Sequence, residues 1–435
     1  MAVTLGRGES PLADRRYYLW NIGCQMNRAD AQRLEEELAR RGLTSTRQPE
    51  RADVLVLNTC VVRQSAEDKA LGRLASLSSI KRRHPERILV VMGCFVDDEA
   101  ALATRFPYVD AFFRPSDVAG VMAYLASRDG DAQPADPCVP RISTPVSDLV
   151  PISYGCNHHC TYCIVTIRRG PEVSRPVDEI AADVEDRVAR GAREVTLLGQ
   201  NVDSYGRDLP GRPDLADVLR AIHDFDDLWR IRFLTSHPKD MSQRIIDAAT
   251  ALPKVCNAWE LPVQAGNDAV LRRMARGYTA DHFCDLVARI RAADPESAIN
   301  TDVIVGFPGE AREQFEDTLR LVEEIRFDVV HIAAYSVRPG TPAAAWPDDV
   351  LPEEKERRRV AVEDAQTRIS GEINAALLGE TVEVLVDGRQ RGRWRGRTRT
   401  NKLVFFEDAG VWMGRLARVR ITWAGPWSLI GEAVT

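Results

Sequence analysis

From Arg16 to about Arg128, short runs of aliphatic and β-branched residues (YYLW, DVLVLN, ILVVMG) alternate with stretches whose apolar positions recur every three or four residues, as in NRADAQRLEEELARRG. Strands alternating with amphipathic helices predict βαβ units and a parallel sheet. Residues 129–147, DGDAQPADPCVPRISTPVS, lose that periodicity and are rich in Pro, Asp and Ser, the composition of a linker. Between Leu149 and about Ser336 six strand candidates follow: LVPIS, EVTLL, RIRFL, AWELPV, INTDVIVG and DVVHIAAYS. Helical runs such as VDEIAADVEDRVARG and REQFEDTLRLVEEI separate them. A complete eight-stranded barrel usually needs ~250 residues, so this block predicts a partial (βα)6 TIM-like barrel. After the charged helix PEEKERRRVAVEDAQTRISGEIN the pattern changes. From Glu380 onward TVEVLVDG, WRGRTRT, KLVFFED and RLARVRITWA alternate around turn glycines, which predicts a small antiparallel β-barrel. The expected fold class is therefore α/β, with an N-terminal parallel-sheet domain at 15–128, a linker at 129–147, the partial barrel at 148–377 and a small β-barrel at 378–435.

A length of 435 residues agrees with two or three domains. Basic residues number 58 and acidic residues 64, so the formal charge is −6. This excludes a wholesale polycation while leaving room for a local basic patch. No run approaches the ~18 apolar residues of a membrane span, and Arg7, Glu9, Asp14, Arg15 and Arg16 occupy the place of a signal-peptide core. A soluble, cytoplasmic chain with no membrane partner is expected. Nine cysteines in such a chain favour reduced thiols that act as ligands over a disulfide framework.

Six of the nine fall into two groups of three. Cys156, Cys160 and Cys163 occur as GCNHHCTYC directly after the first strand of the middle block. Thiolates at C-x₃-C-x₂-C spacing can hold three irons of a [4Fe–4S] cluster and leave the fourth open to a substrate or cofactor. The competing reading is a zinc site completed by His158 or His159, but an adjacent histidine is poorly placed as a fourth tetrahedral ligand. Cys24, Cys60 and Cys94 each follow a predicted N-terminal strand, 36 and 34 residues apart. Consecutive C-terminal strand ends line one edge of a parallel sheet, so these thiols can converge on a second three-cysteine site. Small buried cysteines falling there by chance are the alternative. Cys138, Cys256 and Cys284 match no ligand pattern and are assigned to linker or packing.

The cysteine loop after the first strand of a βα barrel resembles the radical S-adenosylmethionine superfamily. That resemblance implies an open iron chelated by the amino and carboxylate groups of S-adenosylmethionine, whose reductive cleavage yields a 5′-deoxyadenosyl radical. A closer similarity runs from Tyr17 to Glu432, through GCQMNRADAQ, NTCVVRQSAEDKA, RRGPEVSRP, LLGQNVDSYG, FLTSHP, LPVQAGNDAVLRRMARGYT, DVIVGFPGE and YSVRPGTPAA. These segments resemble the methylthiotransferase family, in its tRNA-modifying MiaB branch. The sequence departs from the family pattern at Thr166–Ile167, where a Pro-Tyr pair is usual, and at Ala31, where Ser is common.

The resemblance implies two [4Fe–4S] clusters, on Cys24, Cys60 and Cys94 and on Cys156, Cys160 and Cys163, together with S-adenosylmethionine. The implied reaction installs a methylthio group at C2 of N6-isopentenyladenosine 37 in the anticodon loop of tRNA. An electron donor such as flavodoxin or ferredoxin is implied, the sulfur donor is left open, and a monomer is expected. Tyr162, Gly199, Gln200, Ser236, Gln264, Asp302 and Gly306 are the cofactor-site candidates, each also readable as a turn or strand-end residue. No catalytic side chain is assigned, because such chemistry belongs mainly to the cofactors.

In the terminal block Arg389, Arg391, Arg393, Arg395, Arg397, Arg399 and Lys402 have no acidic residue among them. Alternate arginines on a strand share a face that can bind phosphates, with Trp394, Phe405 or Phe406 available for base stacking if exposed. The similarity to the TRAM RNA-binding barrel favours this over a charge-protected edge strand. Other readings are a methylthiotransferase acting on threonylcarbamoyladenosine tRNA or a ribosomal-protein aspartate, and an RNA-binding iron–sulfur protein without turnover.

Overall fold

The computed structural model describes residues 15–62, 64–128 and 145–434. Cys138 and most of the expected linker lie outside the described residues. The chain divides into two units, the first holding residues up to 128 together with Ile167–Gly170, the second holding 145–166 and 171–434.

In the first unit the expected strands are β1 (Arg16–Asn21), β3 (Val54–Thr59) and β4 (Ile88–Gly93), joined by the short β2 (Thr44–Ser45) and β5 (Ala111–Phe113). Neither short strand was legible in the hydrophobic pattern. The strands form one parallel sheet in the order β2-β1-β3-β4-β5. Helices α1 (Gln25–Arg40), α2 (Gln64–Arg83), α3 (Glu99–Arg105) and α4 (Val118–Arg128) connect them. Every residue of β3 and β4 is buried, as expected of central parallel strands covered on both faces. Leu34 and Leu38 of α1 and Val121 and Leu125 of α4 pack on Val54, Val56, Val90 and Met92.

The second unit opens with β6 (Ser147–Pro151), a small hairpin of β7 (Ser153–Tyr154) and β8 (Val173–Ser174), and the short helix α5 (Val165–Arg169), whose last three residues belong to the first unit. Strands β9 (Glu194–Leu198), β10 (Arg230–Phe233), β11 (Ala258–Glu260), β12 (Ala298–Val305) and β13 (Val329–Ala334) follow. Parallel pairing gives β10-β9-β6 and β11-β12-β13, linked by a bridge between Ile231 and Val255. Six parallel strands thus form the expected open barrel. Its helices are α6 (Val177–Ala189), α7 (Leu215–His223), α8 (Gln243–Ala251), α9 (Asp268–Arg273), α10 (Ala280–Ala293), α11 (Arg312–Ile325) and α12 (Pro352–Ala375).

The terminal barrel has five strands, β14 (Thr381–Gln390), β15 (Arg393–Arg397), β16 (Leu403–Glu407), β17 (Leu416–Ala424) and β18 (Leu429–Ala433), closed in the order β14-β15-β16-β18-β17. It is not purely antiparallel, because β16 and β18 pair in parallel to close it. Trp394 and Phe406 belong to its apolar core and are not exposed for base stacking. Its β15–β16 turn abuts the N-terminal strand ends of the open barrel. There Arg230 donates to Arg397 O at 2.6 Å and Arg232 donates to Arg399 O at 2.8 Å.

Candidate functional site

In the first unit Cys24 follows β1 and precedes α1, while Cys60 and Cys94 directly follow β3 and β4. These three strands are neighbours, so their C-terminal ends lie side by side. A polar network fixes them. Asn27 Nδ2 donates to Thr59 O at 2.8 Å, Asn58 Nδ2 to Asn27 O at 2.7 Å, and Thr59 Oγ1 to Met92 O at 2.7 Å. Gly23 is required at its position: its φ is +134°, and a Cβ there would lie 2.6 Å from Cys60 Cβ.

The three thiols interact electrostatically. Burial pushes Cys94 up to about 11 and also raises Cys60, with Arg169 pulling both down. Cys60 and Cys94, buried beside the exposed Cys24, resist ionisation by themselves and call for a cation to take the charge. That donor set fits an iron–sulfur group.

In the second unit Cys156, Cys160 and Cys163 occupy the loop after β7. The loop is clamped by Thr161 N to Met274 O at 3.1 Å, Thr161 Oγ1 to Arg273 O at 2.7 Å, and Ala343 N to Thr161 O at 2.9 Å. Backbone N–H of His158 points to Cys156 Sγ at 3.4 Å. Burial raises Cys156 to about 11 and Cys163 to about 12, and the neighbouring thiols add to it. His158 Nε2 does not turn toward the thiols. It pairs with Asp240, and its ring stacks on His237 at 4.0 Å between centroids. Asp240 also accepts from Asn201 Nδ2 at 2.6 Å and Arg207 Nη2 at 2.8 Å. His158, one of the two histidines a zinc reading would use, is therefore engaged with Asp240 and His237.

Around this loop the C-terminal strand ends carry buried polar atoms without a partner among the described residues: Ser153 Oγ, His237 Nε2, Gln264 Oε1 and Tyr335 Oη. Such groups are costly unless a ligand completes them. Gln264 adds backbone strain at φ +71°, as does Thr235 at φ +67°, both just past strand ends. These orphaned atoms beside a three-thiol loop fit a polar cofactor.

The remaining candidates divide. Tyr162 packs edge-on to Phe307 with centroids 6.3 Å apart. Ser236 Oγ reaches Asp203 Oδ1 at 3.1 Å, and burial raises that carboxyl to about 7. Gly199 faces Ser153, whose Oγ would lie 2.6 Å from an added Cβ. Gln200 is half-buried beyond β9. Asp302 lies on β12 opposite His331 of β13 and raises Glu260, which burial first drives up, to about 8. Gly306 is fixed by packing, because a Cβ there would lie 2.3 Å from Lys355 Cγ.

Two arginines at these sites went unassigned in the sequence. Arg276 is buried and directs Nη1 to Cys160 Sγ at 3.4 Å, Nε to Tyr278 Oη at 3.0 Å and Nη2 to Pro262 O at 2.9 Å. Arg169 reaches Asn27 Oδ1 at 3.5 Å, the atom that also accepts from the Cys24 thiol, and its charge pulls Cys60 and Cys94 down. Both stand inside quoted motifs, but the cysteines they meet are far away in sequence, so spacing gave no sign of them.

Of the seven basic residues in the terminal block, Arg393, Arg395 and Arg397 share one face of β15. Arg389 ends β14 and Arg391 sits in the turn. Arg399 and Lys402 fall in the next turn and point into the unit. Arg399 donates to Pro253 O and Val255 O, and Lys402 pairs with Asp328 at 2.6 Å. Arg397 is drawn inward too, and its desolvation lowers its pKa.

An open parallel barrel with a three-cysteine loop at its first strand and unsatisfied polar atoms at its strand ends defines a radical S-adenosylmethionine enzyme. Family models agree: Radical SAM superfamily over residues 150–322, Uncharacterized protein family UPF0004 over 16–114, and TRAM domain over 375–434. A relative from Roseiflexus sp. (strain RS-1), named tRNA-2-methylthio-N(6)-dimethylallyladenosine synthase, is 52% identical over 99% of this chain and 91% of its own length. A relative of the same name from Herpetosiphon aurantiacus is 48% identical over 96% of this chain and 98% of its own. The chain belongs to the tRNA-2-methylthio-N(6)-dimethylallyladenosine synthase family. Among solved structures, the radical S-adenosylmethionine methyltransferase TsrM from Kitasatospora setae aligns with a TM-score of 0.58, covering 76% of this chain and 77% of that one at 13% identity, a likeness of fold.

Proposed function

We propose that the chain adds a methylthio group to C2 of N6-isopentenyladenosine 37 in tRNA. The observation that carries this is the convergence of Cys24, Cys60 and Cys94 at adjacent strand ends, in a chain that also bears the cysteine loop of a radical enzyme. A radical enzyme that only abstracts hydrogen needs no second trio of thiols, whereas one that inserts sulfur needs a place to present it. When bound, the two iron–sulfur groups and S-adenosylmethionine supply the electron, the adenosyl radical, the methyl group and the sulfur.

The residues of the chain bind, orient and exclude water. Cys156, Cys160 and Cys163 hold one iron–sulfur group, and Cys24, Cys60 and Cys94 hold the other. Arg276, held by Tyr278, Pro262 and Cys160, would place a buried cation beside a bound cofactor. Gln264 and Ser153 would complete their hydrogen bonds on its polar groups. Phe307, in edge contact with both Tyr335 and Trp346, helps to wall the site from solvent.

On the terminal barrel Arg389, Arg391, Arg393 and Arg395 contact RNA phosphates. The ion pairs of Arg393 with Glu407 and Arg395 with Asp387 are partly exposed and weak enough for a phosphate to displace. An electron donor of the flavodoxin or ferredoxin class reduces the protein, which acts as a cytoplasmic monomer. No helix among the described residues is long and apolar enough to cross a membrane.

The test is anaerobic incubation of reconstituted protein, reductant and S-adenosylmethionine with three substrates in parallel: isopentenylated tRNA, threonylcarbamoylated tRNA and ribosomal protein. Nucleoside and peptide mass spectrometry should find the methylthio group on isopentenyladenosine alone. Modification of either other substrate instead would move the assignment there, and no cleavage of S-adenosylmethionine would leave an RNA-binding protein.

A further inference from the structure

Arg169 lies six residues beyond Cys163 in sequence, yet it belongs to the first unit, where its guanidinium lies beside Asn27, whose Oδ1 accepts from the Cys24 thiol at 3.2 Å. Its side chain is only 3% exposed. Nη1 donates to Ser116 Oγ at 2.9 Å, while both terminal nitrogens reach Asp30 Oδ2 only at 3.4 Å and Nη2 reaches Asn27 Oδ1 only at 3.5 Å. Charge-assisted pairs normally close to about 2.7–2.9 Å, so Asp30 orients this guanidinium without saturating it. Its charge also acts on the Cys94 and Cys24 sulfurs. The adjacent Arg168 pairs with Asp97 at 2.7 Å and keeps a buried Nε with no acceptor among the described residues.

A buried guanidinium is costly to desolvate and must be offset by charge or hydrogen bonds. Here the offset comes from Asp30 and from the cysteines: burial pulls the Arg169 pKa down, but Cys94, Asp30 and Cys24 outweigh it. With iron bound, three thiolates put net negative charge beside this cation, and any anion joining them adds more. Arginine suits that place, being always charged and presenting a planar fork of donors.

We infer that Arg169 is a positioning residue of the N-terminal cysteine site, where it holds a small sulfur anion of the hydrosulfide class beside Cys94 and raises the reduction potential of the iron–sulfur group. The inference rests on the two-cluster reading proposed above.

The test uses the full chain with Cys156→Ala, Cys160→Ala and Cys163→Ala, so that iron reports the N-terminal site alone. Arg169→Gln and Arg169→Lys are added to that parent and reconstituted anaerobically. The readouts are iron content, the midpoint potential followed by electron paramagnetic resonance, and the spectral response to stepwise sodium hydrosulfide. Arg169→Gln should retain about four irons. Its potential should fall by about 60 mV or more, a tenfold change for one electron, and its hydrosulfide affinity should fall at least tenfold. Arg169→Lys should restore the potential but not the affinity. Full iron with potential and affinity both unchanged in Arg169→Gln overturns the inference. If that variant holds no iron, Arg169→Lys decides: affinity equal to the parent's overturns the inference, and a tenfold loss supports it. A parent without iron removes the two-cluster reading itself, a result distinct from either.

Discussion

Arg232 Nη2 donates to the carbonyl oxygen of Thr398 at 2.7 Å, joining the third strand of the open barrel to a turn of the terminal barrel. Arg232 is also paired with Glu194 at 2.9 Å, and Arg230 beside it reaches Arg397 O and Glu383. Removing the terminal barrel strands both guanidiniums in the barrel floor. Truncation after Leu378 should therefore destabilise the remaining chain by at least about 3 kcal/mol, since each buried bond to a charged group is worth about 1.5–3 kcal/mol. Anaerobic thermal unfolding of the two lengths checks this. Equal melting temperatures would mean that the floor is satisfied otherwise, and would make truncation a clean test of RNA binding.

RNA binding is better probed by point changes. Arg391→Ala should weaken tRNA binding and lower the slope of log affinity against log salt by about 1, with little change in melting temperature. Lys402→Ala removes a partner of Asp328 inside the unit and should lower stability while leaving the salt slope unchanged. Filter binding across a salt series, paired with melting curves, separates the two effects.

Gly23→Ala places a methyl group against Cys60 at a φ that L-residues rarely adopt. It should spread the N-terminal thiols and halve the iron content after reconstitution. The loop of Cys156, Cys160 and Cys163 belongs to the other unit and should still load. Full iron in this variant would show that the strand ends tolerate the shift.

Burial raises Glu260 to about 8 and Asp203 to about 7, each from an ordinary carboxylate value. The folded state therefore holds these protons at pH values where the unfolded chain has lost them. Stability falls as pH rises from about 4.5 toward 8, with the cost fully present above the folded values. Glu260→Gln removes one of these contributions and should gain several kcal/mol relative to wild type between pH 5 and pH 9, since each tenfold change in proton affinity is about 1.4 kcal/mol. Parallel stability curves for the two proteins over that range would contradict this assignment.

Strands β3, β4 and β12 were legible because long apolar runs bounded by turns admit few other readings. The two- and three-residue strands β2, β5, β7 and β8 carry no periodicity and emerge only from pairing with neighbours. The cysteine trios were legible from their positions after strands. Arg169 and Arg276 were not, because their partners are set by topology: Cys94 is 75 residues before Arg169, and Cys160 is 116 residues before Arg276. The basic run of the terminal block was legible as charge but not as direction. Once β15 ends at Arg397, alternation stops, and the following turn carries Arg399 and Lys402 inward. Trp394 and Phe406 look like stacking platforms in a basic segment, yet they fill the core, because Trp394 alternates with the arginines of β15 and Phe406 takes the inward position between Phe405 and Glu407 of β16.

The convergence of Cys24, Cys60 and Cys94 on a second iron–sulfur group is tested most directly by anaerobic iron and sulfide quantification with Mössbauer spectra. Reconstituted wild type is compared with a chain carrying Cys24→Ala, Cys60→Ala and Cys94→Ala. The proposed methylthiotransferase requires about eight irons in wild type and about four in the variant. About four irons in both would make the N-terminal thiols packing residues and leave a radical enzyme with a single cluster.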